Sequence, residues 1–541
     1  MVDLAPLQLL RRAAETWPDR PALREDSTPT TYAELWEACQ PTALDPGARA
    51  VSLTSGGRAA LVAYTSIQRG GGVPVELNPT LPDAELIEVL RLADPCGALA
   101  EEGAAGEDAR ARLETLWREA FGVEVPWLEG QGGVARDPSS GLAALVFTSG
   151  TTGTPKGVQL SHENLGAVTG AIAESLEIVA GGPPEVFLAS LPLYYTYGRS
   201  LVLLAAAVGG ELVFSSAALT AGRLLRLTRD EGVTQLSLVP HQALALLRRD
   251  GFCASELPSL RRITLAGGAL PPSALAELRA RFPGAVFPMY GLTEAATRLT
   301  CLHPREAATR PSSCGRAIRG VELAIASTEG EQPRLGEQPR LGEQPHLGEQ
   351  PREGEQPRLD DQPRESEQPR VDEQPRLGEQ PHVGQHLPVG ETGEVLARGP
   401  NVSAGYFRDP AGTQAAFSEG WLRTGDLGSL DAEGFLTICG RLKDLIKSMG
   451  ERISAKSVED VVLEDAAIRE AAAIGVPDPE RGEALILFVV GPEVLDPAAL
   501  RARITARLGR ARVPLRIHQL EALPKTGSGK VRKALLREPA Q

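Results

Sequence analysis

From about residue 50 to 325 the chain alternates short apolar runs with longer stretches rich in leucine and alanine. The runs ALVFTSG, ELVFSS, QLSLVP, RRITLAGG and GAVFPMYG have strand length, and several end in small or polar residues. This alternation predicts an α/β class, a mostly parallel sheet flanked by helices. Ligands in open sheets of this kind sit beyond the carboxyl ends of the strands. The loops TSGTTG, AGGA and YGLTE are therefore expected to converge on one crevice. A second texture begins near residue 442, where SVEDVVLEDAAIREAAAIGV, ALILFVV and PAALRARITARLG predict a small C-terminal α+β domain over 442–541. The large N-terminal domain is expected to span 1–441.

Between the strand-like segments VELAIAS and GETGEVLARG the pattern breaks. Residues 331–384 are nine copies of a six-residue unit of the EQPRLG type. A left-handed β-helix also repeats every six residues. A proline in every unit removes a ladder donor each time, however, and the few aliphatic positions build no core. The reading is a polyproline-like or disordered, low-complexity insertion. Its flanks are expected to pair as a hairpin, because lengthening a loop ninefold adds only about 2 kcal/mol of closure entropy.

Composition narrows the partners. The 541 residues include 42% hydrophobic and 23% charged positions, as expected for two or three globular domains. A net charge of −14 argues against nucleic acid as a partner. The six cysteines form no C-x-x-C pair and read as free thiols of a cytoplasmic protein. The N-terminus resembles an amphipathic helix more than a signal peptide, and the apolar run from Leu201 to Val208 is too short to span a bilayer.

Chemistry concentrates first in FTSGTTGTPKGVQLSH, residues 147–162. Thr148, Ser149, Thr151 and Thr152 supply hydroxyls, and Gly150 and Gly153 let backbone amides approach a ligand. Lys156 adds a mobile positive charge. The set suits a polyphosphate, held as a nest of amides at a helix start holds one. The bland alternative is a surface turn between strand and helix. The spacing is not that of a Walker loop, either here or at Gly529-Lys530, which argues against a P-loop NTPase.

TSGTTGTPKG, YGLTE, GWLRTGDLG, GRLKDLIKSMGERIS and PKTGSGK, in that order, resemble the adenylate-forming (AMP-binding) superfamily. The closest resemblance is to acyl-CoA synthetases and fatty-acid–CoA ligases. It covers nearly the whole chain outside the repeat and implies ATP-dependent activation of a carboxylic acid. The product is an acyl-adenylate, with release of pyrophosphate and then thiolysis by coenzyme A. By resemblance, Lys530 bridges the carboxylate and the α-phosphate, Thr293 bonds the α-phosphate, and Thr148 and Glu294 hold Mg2+. Tyr290 with Gly291, and Gly267, Gly268 and Ala269, wall the adenine. Asp426 takes the ribose hydroxyls beside Arg441, and Lys443 is the hinge on which the small domain turns.

Departures and choices follow from the same comparison. Tyr195 stands where many acyl-CoA synthetases carry histidine. Ser457 replaces a glutamate and removes half of a capping box after Ser454, a local cost of about 0.5–1 kcal/mol. Met449 replaces a glycine of the turn facing the thiol path. No aspartate in LYYTYG is present to pair a substrate ammonium, so an amino acid is disfavoured. Tyr194, Tyr197, Val239, Pro240 and Leu292, with Gly198 and Gly291 at either side, predict an apolar pocket for a fatty or aryl acid. An acyl carrier protein is the alternative acceptor. A scaffold acting through the repeat is the competing class, disfavoured because Lys530, Glu294, Asp426 and Arg441 are all present.

Overall fold

The computed structural model describes residues 4–54, 56–99, 104–128, 141–149, 155–328, 386–449, 451–465, 467–491, 496–525 and 531–537. Gly150, Thr151, Thr152, Gly153, Gly450, Lys530 and the repeat 331–384 lie outside the described residues, as does the side chain of Ser149.

The central sheet has nine strands. In spatial order they are Arg316–Ala317, Thr300–Cys301, Val286–Tyr290, Arg262–Leu265, Gln235–Leu238, Val186–Leu188, Glu211–Phe214, Pro21–Glu25 and Thr28–Thr31. The six strands from Val286–Tyr290 through Pro21–Glu25 run parallel. Gln235–Leu238 and Glu211–Phe214 are buried along their whole length, as continuous apolar strands between helical layers must be. A separate three-stranded parallel sheet contains Arg49–Ser52, Val73–Glu76 and Gly97–Leu99. The expected mostly parallel sheet is therefore present, and further sheets stand beside it.

The bland alternative for TSGTTG, a turn between strand and helix, does not describe the connection. The strand before TSGTTG is not followed by a helix. Leu142–Ser149 pairs antiparallel with Pro155–Ser161, Thr148 lying opposite Lys156, so the phosphate-type loop is a hairpin loop. The helix begins only at His162, where Ser161 Oγ accepts from Asn164 N at 3.0 Å and Asn164 Oδ1 accepts from Ser161 N at 2.9 Å.

The strands flanking the repeat pair as expected. Glu322–Ala326 runs antiparallel to Gly393–Arg398, in register from Glu322↔Arg398 to Ala326↔Glu394. Trp421–Leu430 then pairs with Gly393–Arg398 on one side and Leu436–Arg441 on the other.

The C-terminal sheet comprises Glu451–Ser454, Leu445–Ser448, Gly482–Val490 and Glu470–Asp478, with Arg516–Gln519 added in parallel to Gly482–Val490. Helices Ala455–Val462 and Pro497–Leu508 cover one face through Val458, Val462, Leu500 and Ile504. Leu523 and Leu536 cover the other, against Ile474 and Phe488. Each buried leucine contributes about 2 kcal/mol and pins the chain on either side of residues 526–530. The cap of Ala455–Val462 departs from expectation. Ser454 Oγ donates to Cys439 O at 2.8 Å, and Ser457 Oγ donates to Ser454 O at 2.7 Å, so neither half of a capping box forms. The Ser454 hydroxyl instead ties this domain to the strand carrying Arg441. Met449 occupies the left-handed region with φ of 52°, where glycine is strain-free. No helix among the described residues is long and apolar enough to cross a membrane.

Deleting residues 331–384 is expected to leave unfolding cooperative and to raise stability by about 2 kcal/mol in urea denaturation, the closure entropy of the shortened hairpin. Loss of cooperativity would make the segment part of the folded core.

Candidate active site

Four segments singled out in the sequence leave the same edge of the central sheet, because the strands that feed them are parallel. Val186–Leu188 leads into LPLYYTYG, Gln235–Leu238 into Val239-Pro240, Arg262–Leu265 into AGGA, and Val286–Tyr290 into GLTE. AGGA and Val239-Pro240 touch: a Cβ on Gly267 would lie 3.1 Å from Val239 Cγ1, and one on Gly268 would lie 3.3 Å from Pro240 Cγ. Gly267 also has a φ of +83°, which admits glycine and strains other residues. Ala269 is exposed beside them.

Glu294 sits in the tight turn Thr293–Ala295, with its carbonyl accepting from Ser403 N at 2.8 Å. Its Oε1 accepts from Tyr406 Oη at 2.9 Å. Lys156 Nζ lies 4.6 Å from the Tyr406 ring centroid and 3.9 Å from Asp409 Oδ2. Strand Pro155–Ser161 packs directly on the Thr293–Ala295 turn, so the hairpin carrying Thr148 and Lys156 and the turn carrying Glu294 form one wall. Burial raises the Tyr406 phenol well above its ordinary range, and the neighbouring Glu294 charge adds to this, so Tyr406 is a hydrogen-bond donor at neutral pH. Among the described residues no group of three His, Cys, Asp or Glu side chains is arranged to hold a metal ion. One carboxylate with hydroxyl neighbours suits Mg2+, which is commonly bound through one or two carboxylates plus substrate phosphates.

Asp426 is 4% exposed and doubly held. Tyr290 Oη donates to its Oδ2 at 2.7 Å, and Arg441 Nε lies 2.9 Å from its Oδ1. The antiparallel register sets Asp426 opposite Arg441. Two residues on, Lys443 has a pKa pushed below the ordinary lysine range, first by burial, with Asp444 opposing and Arg441 assisting.

Tyr194 and Tyr195 stack edge to face at 4.7 Å, and Asn78 Nδ2 donates to Tyr195 Oη at 3.4 Å. Burial pushes the Tyr194 phenol up to about 12. Tyr197 turns its hydroxyl to Thr264 Oγ1 at 2.9 Å. The two glycines of the expected pocket are demanded by backbone packing. A Cβ on Gly198 would lie 2.2 Å from Pro192 O, and one on Gly291 1.9 Å from Thr297 O. Both permit backbone close approach. Leu292 packs against the main core.

The segment expected to carry Lys530 is described up to its stem. Lys525 and Val531 form an antiparallel bridge, and Arg532 N donates to Pro524 O at 2.8 Å. Arg532 Nη2 reaches Glu85 Oε1 at 3.5 Å, and the Lys525 charge helps depress His241, whose pKa falls mainly through burial. The stem thus meets the large domain at Glu85 and beside Pro240.

Sequence reading missed Tyr406, Asn78, His241 and Arg298. None falls in a spaced motif, and only the tertiary structure brings them to the site.

A central parallel sheet with a smaller α+β domain, and these loops at its carboxyl edge, define an adenylate-forming enzyme. Residues 10–343 match the AMP-binding enzyme family and residues 457–530 its C-terminal domain, so the chain belongs to that family. The sulfoacetate–CoA ligase of Cupriavidus necator is 33% identical over 398 residues, covering 73% of this chain and 66% of that protein. A 2-succinylbenzoate–CoA ligase of Bacillus velezensis is 28% identical over 548 residues, 99% of each. The o-succinylbenzoate coenzyme A synthetase of Bacillus subtilis, solved with ATP and magnesium ion, superposes with a TM-score of 0.76 at 26% identity, covering 98% of both chains. The protein is an AMP-forming acid–thiol ligase using ATP, Mg2+ and coenzyme A.

Tyr406→Phe removes a hydrogen bond to a charged group, worth about 1.5–3 kcal/mol. It is expected to raise the Mg2+ concentration for half-maximal pyrophosphate release about tenfold or more while leaving the melting temperature within a few degrees.

Proposed function

We propose that the crevice at the carboxyl edge of the central sheet activates a carboxylic acid as its adenylate and then passes the acyl group to coenzyme A. The observation that carries this reading is the meeting of the Lys156–Tyr406–Glu294 wall, the Asp426–Tyr290–Arg441 group and the Lys525–Val531 stem at one edge. The chemical difficulty is electrostatic. A carboxylate approaching the α-phosphate brings two like charges to within about 4 Å, a repulsion of about 4 kcal/mol at an effective dielectric of 20. In this reading Lys530 enters between them from its loop, and Thr293 bonds the same phosphate. Thr148, Ser149, Gly150, Thr151, Thr152, Gly153 and Lys156 hold the β- and γ-phosphates. Mg2+ held by Glu294 and Thr148 neutralises charge on those phosphates when bound.

Tyr290 and Gly291 on one side, with Gly267, Gly268 and Ala269 on the other, hold adenine. Asp426, held by Arg441 and Tyr290, accepts the ribose hydroxyls. Once pyrophosphate leaves, the domain spanning 442–541 turns about Lys443 and brings the turn at Met449 toward the thiol. The sulfur attacks the acyl carbon, the bond to the AMP oxygen breaks, and AMP departs. Tyr194, Tyr195, Tyr197, Val239 and Leu292 surround the acid. Their apolar faces support an acid with a hydrocarbon or aryl body. Neither relative named above is a fatty-acid ligase, so a short or aryl acid is favoured over a fatty one. Sulfoacetate and 2-succinylbenzoate each carry two acidic groups. Free thiols at all six cysteines suit a cytoplasmic setting.

The test is AMP and pyrophosphate release with ATP, Mg2+ and a panel of acids from acetate to long-chain and aryl, with and without coenzyme A. AMP turnover requiring both acid and coenzyme A is expected. Pyrophosphate release indifferent to coenzyme A would move the acceptor to a carrier protein. Lys530→Ala is expected to slow adenylation by on the order of 100-fold or more while thiolysis of supplied acyl-adenylate persists. Adenylation at the native rate would remove Lys530 from the mechanism.

A further inference from the structure

Arg298 follows Glu294 by one turn and is 2% exposed. Its Nε and Nη1 are buried and meet no hydrogen-bond acceptor among the described residues. Arg199, also buried, shows the usual solution: it pairs with Glu76 and donates to Leu193 O from both Nε and Nη2. Around Arg298 the interacting groups are the Tyr197 phenol and the Cys301 thiol, both neutral, with no carboxylate among them. The Tyr197 ring centroid is 5.7 Å from its guanidinium carbon, and the Tyr197 hydroxyl is already committed to Thr264. A guanidinium cannot shed its proton to escape burial, so it requires an anion.

The backbone holds this cation in place against strain. Ala296 and Thr297 both have positive φ, 50° and 96°, the latter unusual for a β-branched residue. Buried Asn401 clamps the turn, its Nδ2 donating to Ala295 O at 3.0 Å and Arg298 O at 2.7 Å. A Cβ on Gly291 would lie 2.8 Å from the Arg298 Cα and the Tyr197 ring lies against its guanidinium, so the arginine touches two residues that the sequence reading assigns to the acid pocket. Strained, over-determined backbone of this kind clusters at ligand clamps.

We infer that Arg298 receives a second anionic group of the acid substrate, a carboxylate or sulfonate remote from the carboxyl that is adenylated. This rests on the acid-activating reading above and narrows the substrate to a dianionic acid. Nε and Nη1 offer the paired donors that planar oxyanion recognition uses. An acid lacking the second group would leave the guanidinium buried and unpaired, so discrimination against it is large.

The test uses the full chain with ATP and Mg2+ and follows pyrophosphate release. Succinate and 3-sulfopropionate are compared with butyrate, glutarate with valerate, and 3-(2-carboxyphenyl)propionate with 3-phenylpropionate. At least one dianion is expected to exceed its partner by on the order of 100-fold or more in kcat/KM, and the sulfonate arm tells which oxyanion is preferred. Arg298→Met is expected to collapse that ratio, chiefly through KM, with Arg298→Lys recovering part of it. A native enzyme without preference for any dianion, or a variant that slows both members of a pair equally, would overturn the inference.

Melting without ATP supplies an independent readout. The preferred dianion should raise the melting temperature of the native protein and not that of Arg298→Met, which without ligand should melt no lower than native. A merely structural arginine predicts a lower melting temperature and an unchanged ligand shift, and that result would overturn the proposal. Arg298→Gln serves the same comparisons if the methionine variant does not fold. Should no acid turn over with ATP, the ligase reading falls. The melting data then still decide the anion site, through a dianion shift lost or kept in the variant.

Discussion

The common direction of six strands in the central sheet governs everything else at the site. Parallel strands must return by crossovers, so their carboxyl ends gather at one edge. Four loops from distant parts of the sequence are delivered there together. The core beneath carries no chemistry and needs none. It holds loop ends that make opposing demands, with glycines packed against Val239 and Pro240 on one side and a strained turn on the other.

On that frame the charged groups are kept apart and individually satisfied. Asp426 has Tyr290 and Arg441, Glu294 has Tyr406, and Lys156 lies between an aromatic face and Asp409. Such pairing fixes the directions of these carboxylates before ligand arrives, which lowers the ordering cost of binding. The C-terminal domain contributes by a different principle. Leu523 and Leu536 fasten the chain to a buried sheet face on either side of the TGSGK segment, and the Lys525–Val531 bridge closes its stem.

Much of this was legible in the sequence because it rests on local signals. Apolar runs of strand length marked the central strands, and the segments around the repeat paired as their patterns implied. What escaped has a tertiary cause. A hairpin and a strand-to-helix turn share the same glycines and threonines, so the sequence did not reveal that the strands on either side of the loop after Thr148 pair with each other. Gly198 and Gly291 were placed beside the pocket without a reason for being glycine, and only the carbonyls of Pro192 and Thr297 reveal why no side chain fits. Ser454 looked like a helix cap because the sequence holds no trace of Cys439 O, the partner it takes instead. Tyr406 and Arg298 carried no motif at all, since their meaning lies in neighbours more than 100 residues away.

The strand Glu322–Ala326 is the outermost strand of its sheet, and on its outer side the described residues add only the Ala326–His386 bridge and the Leu387 N–H to Ile325 O bond. Open edges invite strands from other molecules and are a common route to aggregation. The repeat begins a few residues beyond that strand, and each of its units brings a proline together with charged residues. Such a sequence is poorly able to prolong the strand or template an incoming one. Whatever else the insertion does, it leaves the sheet where unwanted pairing would start, and it is built from residues that discourage it.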